Sequence, residues 1–268
     1  MLSKNVNFLL YVSQHFLTHR FLIYNFKKSI SIYNTDSYNK VTTAYRRCPM
    51  FDFLCYNKLD SYAPSQPKDV PISFIRILNG SEIFKRFDVY AGDRIVTRGI
   101  SFKKFTPYFI LPSGKYKIDI CQSGKKASNL QVSSMLNFMP DMIYTVAIAG
   151  TSLVEMVNIN DPILKPEPPY ANIRLVNLSS SIFNMTDSKN NTLFHEIGYK
   201  EASDYISISE GKHILKGIDS KIDKVSFVMN QIEIKPQWNY TIYVLESSIK
   251  QIIHPLLLID GTTYIKKV

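Results

Sequence analysis

The sequence predicts an all-β fold: two tandem immunoglobulin-like β-sandwich domains behind a poorly structured amino-terminal leader. Three observations carry that expectation. Short apolar stretches alternate with polar residues, turn residues recur at short intervals, and the second half of the chain repeats the first.

The alternation defines the strands. Tyr116, Ile118 and Ile120 are interleaved with Lys115, Lys117 and Asp119, and Val225, Phe227 and Met229 follow the same pattern. A period of two places one set on a buried face and the other in water. Turns are marked by Asn79-Gly80, Ala91-Gly92-Asp93, Pro112-Ser113-Gly114, Ser123-Gly124 and Asn190-Asn191, where Gly or Asn accommodates a positive φ. Tyr and Phe number 17 and 16 against 10 Gly, a balance that favours strands. No segment has a long helical period, and about seven strands fit each copy, the rhythm of a sandwich of ~100 residues.

The repeat defines the domains. Ile75-Arg76-Ile77-Leu78-Asn79 returns as Ile173-Arg174-Leu175-Val176-Asn177, displaced by 98 positions. Ile83-Phe84 aligns with Ile182-Phe183, Asp88 with Asp187, Phe102-Lys103 with Tyr199-Lys200, and Tyr108 with Tyr205. Gly114-Lys115 aligns with Gly211-Lys212, Pro140 with Pro236, and Tyr144-Thr145-Val146 with Tyr240-Thr241-Ile242. The displacement stays between 96 and 99, so small insertions account for the drift. Pro162, Pro166, Pro168 and Pro169 mark a stiff spacer between the copies. The expected organisation is therefore a leader and linker at 1–69, repeat 1 at 70–160, a linker at 161–168, and repeat 2 with a carboxy-terminal strand extension at 169–268. Joined in this way, the sandwiches would form a semi-rigid rod able to associate through edge strands or tyrosines.

Charge is unevenly placed. The chain carries a formal +10, yet residues 1–50 hold seven basic residues against Asp36 alone, which leaves +4 for everything after them. A body this weakly basic, with only short Lys103-Lys104-Phe105 and Lys125-Lys126 clusters, is not expected to bind nucleic acid. In the leader, Ser13, Gln14, His15, His19 and Arg20 interrupt the apolar run, so neither a signal peptide nor a transmembrane segment is expected. A loose leader is preferred over a basic amphipathic helix lying on a membrane with Phe8, Val12, Phe16 and Leu17 on one face.

Chemistry-bearing residues are sparse. Cys48, Cys55 and Cys121 form no C-x-x-C pair and read as free or partly buried thiols, although a Cys48–Cys55 bridge stays open. His195, His213 and His254 are isolated, and no P-loop, G-x-G-x-x-G or G-x-S-x-G motif occurs. No metal, cofactor or catalytic residue is expected. Asp88 with Asp93 and Asp219 with Asp223 could pair as acid and base, but turn-capping explains them more simply. The sequons at Asn79, Asn177, Asn184, Asn190 and Asn239 argue nothing about glycosylation in a chain rich in Asn and Ser. The candidate ligand contacts are the aromatics Tyr90, Tyr108, Tyr205 and Trp238, weighed against a role in the core.

Several elements of the first copy resemble one family. Ile75-Arg76-Ile77-Leu78, Phe87-Asp88-Val89-Tyr90, Phe102-Lys103-Lys104-Phe105, Tyr108 to Leu111, Pro112-Ser113-Gly114-Lys115-Tyr116 and Tyr144 to Gly150 are similar, in order and spacing, to the bacterial domain-of-unknown-function family 4397. The second copy is more divergent. The resemblance implies a β-sandwich, often in tandem, in envelope-associated or secreted proteins and in those of spore-forming bacteria, and it brings no activity. Members carry a His-Ala-Ser-Pro-Asp-Ala-Pro turn after the first strand, where this chain has Asn79-Gly80-Ser81-Glu82-Ile83-Phe84-Lys85 and keeps only the serine. The functional expectation is a non-catalytic structural or interaction module of a cell envelope or spore layer, with a protein or glycan partner or self-association. A cytoplasmic location also stays open. The alternatives are a glycan- or peptide-binding module and, less favoured, a hydrolase.

Overall fold

The computed structural model describes residues 70–124, 130–263 and 265. The leader at 1–69, with Cys48, Cys55, His15 and His19, and the Lys125-Lys126 pair lie outside the described residues. Repeat 1 consists of β1 (Ile72–Asn79), β2 (Phe87–Ala91), β3 (Arg94–Ile100), β4 (Phe109–Pro112), β5 (Gly114–Gln122), β6 (Leu130–Phe138), β7 (Ile143–Ala149) and β8 (Glu155–Asp161). Repeat 2 consists of β9 (Tyr170–Asn177), β10 (Phe183–Thr186), β11 (Thr192–Ile197), β12 (Ile206–Ser209), β13 (Gly211–Asp219), β14 (Lys224–Ile234), β15 (Asn239–Glu246) and β16 (Ile253–Ile259), followed by a 3-10 turn at Gly261–Thr263.

The fold is all-β, and the two repeats have the same topology. One sheet of repeat 1 runs β4-β1-β7-β8 and the other β3-β2-β5-β6; repeat 2 reproduces them as β12-β9-β15-β16 and β11-β10-β13-β14. The first strand of each repeat pairs in parallel with the seventh, while the remaining neighbours are antiparallel. Each copy thus has eight strands where the turn rhythm suggested about seven. The additional one is short: β4 and β12 span four residues each, too few to display a period.

Register corrects the alignment of the copies at one point. Phe87 faces Gln122 and Asp88 faces Cys121, while Phe183 faces Asp219 and Asn184 faces Ile218. Asp88 therefore corresponds to Asn184, not to Asp187. Both side chains do the same work: Gly99 N donates to Asp88 at 2.7 Å, and Glu196 N donates to Asn184 at 2.7 Å. Asp187 instead caps its own turn, accepting from the amides of Lys189 and Asn191. The loop after β1 is longer than the loop after β9, and this shifts the displacement.

The sheets β3-β2-β5-β6 and β11-β10-β13-β14 form the outer layers. Along β5 and from Ser226 onward in β14, exposed and buried residues interchange, as expected of a sheet with one wet face. Val225, expected on the buried face with Phe227 and Met229, is instead exposed beside the register shift between Gly217 and Ile218. In contrast, β7 and β15 are buried at every position. Their residues alternate between two different cores. In repeat 2, Tyr240, Ile242 and Val244 join Ile173, Leu175, Phe183, Leu215 and Met229 inside the sandwich. Tyr243 and Leu245 point the other way and join Val176, Leu178 and Leu258 against Leu78, Ala147, Ala149 and Ile159 of repeat 1. The repeats therefore share a buried core in addition to the proline-containing linker that the sequence marks between them. Asp161, read from the sequence as the first linker residue, is the last residue of β8 and is buried.

Turn chemistry after β1 and β9 explains the retained serine. Asn79 and Asn177 are buried and accept from the amides of Ser81 and Ser179 at 3.0 and 2.9 Å, and the Ser81 hydroxyl donates to Gly150 O at 2.8 Å. Of the sequon asparagines, Asn79, Asn177 and Asn239 are almost wholly inaccessible.

Space alone selects glycine at position 217. A Cβ there would lie 2.1 Å from Phe227 Cζ, its neighbour across β13 and β14. Gly217→Ala should destabilise the chain by roughly 1–3 kcal/mol, and Phe227→Leu in the same chain should relieve part of that loss. Urea unfolding of the two single variants and the double variant checks both statements.

Candidate functional site

The most concentrated polar chemistry among the described residues lies where the two repeats meet. Arg76 of β1 and Arg174 of β9 occupy equivalent places in otherwise apolar strands and are 1% and 4% exposed; Asp161 at the end of β8 and Asp260 just after β16 are fully buried. Odd-numbered neighbours such as Ile75, Ile77, Ile173 and Leu175 face the sandwich interiors. The period of two then points both arginines into the shared interface.

Each arginine begins in its own repeat and ends in the other. Arg76 Nε donates to Thr145 Oγ1 at 3.0 Å, its Nη1 to Ile259 O at 3.1 Å, and its Nη2 to Asp260 Oδ1 at 3.4 Å and Tyr243 OH at 3.3 Å. Arg174 mirrors this: Nε donates to Thr241 Oγ1 at 2.9 Å, Nη1 to Asn160 O at 2.8 Å, and Nη2 to Asp161 Oδ1 in an ion pair. Nη2 of Arg76 also lies 4.0 Å from Asp161 Oδ2.

The carboxylates are equally well satisfied. Asp161 Oδ2 accepts from Tyr108 OH at 2.8 Å and from Thr145 Oγ1 at 2.9 Å. Asp260 Oδ2 accepts from Tyr205 OH at 2.7 Å and from Thr241 Oγ1 at 2.8 Å. The same tyrosines cover the cations: the Arg76 guanidinium carbon sits 4.7 Å from the Tyr108 ring centroid, and that of Arg174 4.7 Å from the Tyr205 ring centroid.

Titration follows from burial and from the neighbouring charges. Burial opposes the charge on Arg76, yet Tyr108, Tyr243, Asp161 and Asp260 outweigh it and hold its pKa well above the usual value. Burial raises the Tyr243 and Tyr205 hydroxyls. Burial, reinforced by the Asp161 carboxylate, pushes Asp260 up to about 6 against the pull of Arg174 and Arg76. The network thus brings two guanidinium groups and two aspartates together, each hydrogen-bonded. What this arrangement does chemically is hold its charges to one another.

The expected contact aromatics are dispersed. Tyr108 and Tyr205 belong to the interface network, with hydroxyl and ring face both engaged. Trp238 packs against the core of repeat 2, with Lys235 Nζ 5.1 Å from its ring centroid. Tyr90 is half-buried on the sheet β3-β2-β5-β6, opposite Asp119 of β5. These four residues do not form one row on one face. Cys121 is a free, buried thiol whose pKa burial raises. His213 is 2.8 Å from Ser209 O, and the His254 ring packs edge-on against Phe102 of the other repeat at 5.6 Å. Among the described residues, no three His, Cys, Asp or Glu side chains gather as metal ligands, and no helix is long and apolar enough to cross a membrane. A concavity lined by Phe74, Asp141, Ile143, Ile163, Thr262 and Ile265 has a volume of about 40 Å³, on the scale of one or two waters.

Sequence reasoning missed the arginines and aspartates as a group. The signal was present in part: an arginine recurs at the centre of both copies of an apolar strand, beside a recurring Tyr-Thr pair. The aspartates gave less warning, because Asp161 precedes a proline and Asp260 a glycine, which reads as turn chemistry.

A family model agrees with the resemblance seen in the first copy. The model of a domain of unknown function (DUF4397) matches residues 73–186, which cover repeat 1 and the first two strands of repeat 2. No curated protein matches the chain. Among solved structures, the Bacillus anthracis TIE protein is similar at 11% identity and a TM-score of 0.22, with 66% of this chain and 34% of that one covered. A candidate adhesin from Bacteroides ovatus is similar at 11% identity and a TM-score of 0.20, with 72% of this chain and 98% of that one covered. The chain thus spans about a third of the length of the Bacillus anthracis protein.

Two outcomes are expected. Arg174→Met leaves Asp161 without its closest cation and should cost roughly 3–5 kcal/mol in urea unfolding, as for other broken buried pairs. The second outcome concerns pH. With a folded pKa of about 6 against an ordinary 3.8, Asp260 holds more proton in the folded chain than in the unfolded one between those values. Its contribution therefore shifts towards folding as pH falls through that window. Measured from pH 7 to pH 4, the stability of the parent chain relative to Asp260→Asn should rise; a constant difference would show that Asp260 does not titrate there.

Proposed function

We propose that the protein is a non-catalytic structural or interaction module of a bacterial cell envelope or spore layer. The observation that carries this reading is the closed network between the repeats. The strongly perturbed groups Arg76, Arg174, Asp260 and Tyr243 are buried inside a structural joint and, with the half-buried Tyr205, are paired with one another, where an active site would turn them towards a substrate cleft. The family resemblance supports the envelope assignment. Surface left for a partner includes the outer sheets, where Met135 of β6 and Val225 and Val228 of β14 are exposed.

The test is fractionation of the host bacterium into cytosol, membrane, wall or spore coat, and medium, with quantification of this chain by mass spectrometry. Enrichment in the wall, coat or medium is the expected outcome. Recovery in the cytosol alone would overturn the assignment.

A further inference from the structure

The interface has an approximate two-fold arrangement in its polar half and departs from it in its apolar half. Strand register fixes the equivalences. Ala147 lies between Leu78 and Val157, and Tyr243 lies between Val176 and Leu256. Ala149 faces Glu155, and Leu245 faces His254. Gly80 N donates to Ile148 O at 2.8 Å, and Leu178 N donates to Val244 O at 2.9 Å, which makes Gly80 and Leu178 equivalent as well. At these three places repeat 1 carries Gly, Ala and Ala, and repeat 2 carries Leu, Tyr and Leu.

All six residues are buried. The large residues of one repeat are seated where the other is small: a Cβ added at Gly80 would lie 3.0 Å from Leu245 Cδ2 and 3.4 Å from Leu178 Cδ1. Ala147 and Ala149 share one apolar cluster with Tyr243, Leu245 and Leu178. Tyr243 also breaks the symmetry of the network, since Arg76 reaches its hydroxyl while Arg174 has no such partner on the alanine side.

We propose that this difference in size is the specificity element of the docking face: it lets the face of repeat 1 accept the face of repeat 2 and keeps each from pairing with a copy of itself. Two repeat 2 faces would drive Tyr243, Leu178 and Leu245 against their own duplicates, an overpacked arrangement. Two repeat 1 faces would leave voids around Gly80, Ala147 and Ala149. The four buried charges would balance in any of the three pairings, so they cannot discriminate among them. Shape discriminates, and the partner that this surface fits is the unlike repeat of the same chain.

The experiment transfers the tyrosine across the joint in the full chain. Ala147→Tyr and Tyr243→Ala are made singly and together, and the folding equilibrium constant is read by urea unfolding. Ala147→Tyr should lower that constant at least tenfold in the parent chain and raise it at least tenfold in the Tyr243→Ala background. There the introduced ring fills the vacated space and meets Arg174 as Tyr243 now meets Arg76. A loss of equal size in both backgrounds would overturn the proposal. If Ala147→Tyr alone is insoluble, a folded double variant supports the proposal, and an insoluble double variant beside a folded Tyr243→Ala chain overturns it. A smaller pair reads the same feature: the penalty of Gly80→Ala should fall at least threefold in the Leu245→Ala background. An unchanged penalty would assign the constraint to Ile148 O, which lies 3.0 Å from the added Cβ, and not to the facing repeat.

Discussion

The structure depends on the reciprocal crossing of Arg76 to Asp260 and Arg174 to Asp161. Taking four charges out of water is costly, and Coulomb attraction offsets that cost only where hydrogen bonds satisfy the remaining donors and lone pairs. Threonine, tyrosine and carbonyl partners fill that requirement on both sides. Because each guanidinium is completed by an aspartate of the other repeat, neither repeat meets the condition alone. The two sandwiches are therefore tied as one folding unit, and the chain between them is a connection, not the joint.

That dependence reaches outward through the strands. With charges held at one end of the interface, β7 and β15 must be apolar on the sandwich side and compatible with the facing repeat on the other. This is why both are buried along their whole length. Further polar contacts join the repeats nearer the surface: Lys200 of repeat 2 lies 2.8 Å from Glu155 of repeat 1, and Tyr199 and Ser247 of repeat 2 donate to Glu155 and Glu82. Exposed pairs of this sort contribute little individually. They align the edges of a joint whose strength lies inside.

Much of the fold was legible in the residues. Alternation along β5 and β14 identified the wet sheets, and the recurrence of Ile-Arg-Ile-Leu-Asn as Ile-Arg-Leu-Val-Asn identified the duplication. The short strands β4 and β12 escaped because four residues show no period, and the alignment slipped after β1 because its loop is longer than its counterpart. Tyr108 and Tyr205 were rightly singled out as a recurring pair, but a sequence does not say whether a tyrosine faces a ligand or an aspartate some fifty residues away. Here each hydroxyl meets an aspartate.

By itself, the sequence determined what local periodicity can encode: strands, turns, two copies of one β domain, and an uneven distribution of charge. The tertiary structure alone decided which second face of β7 and β15 would be covered, and by what. Residue spacing records which side chains share a face of their own strand, but it holds no term for the surface that later approaches that face. The pairing of Arg76 with Asp260, and of small residues in one repeat with large ones in the other, exists only once both sandwiches have formed and met.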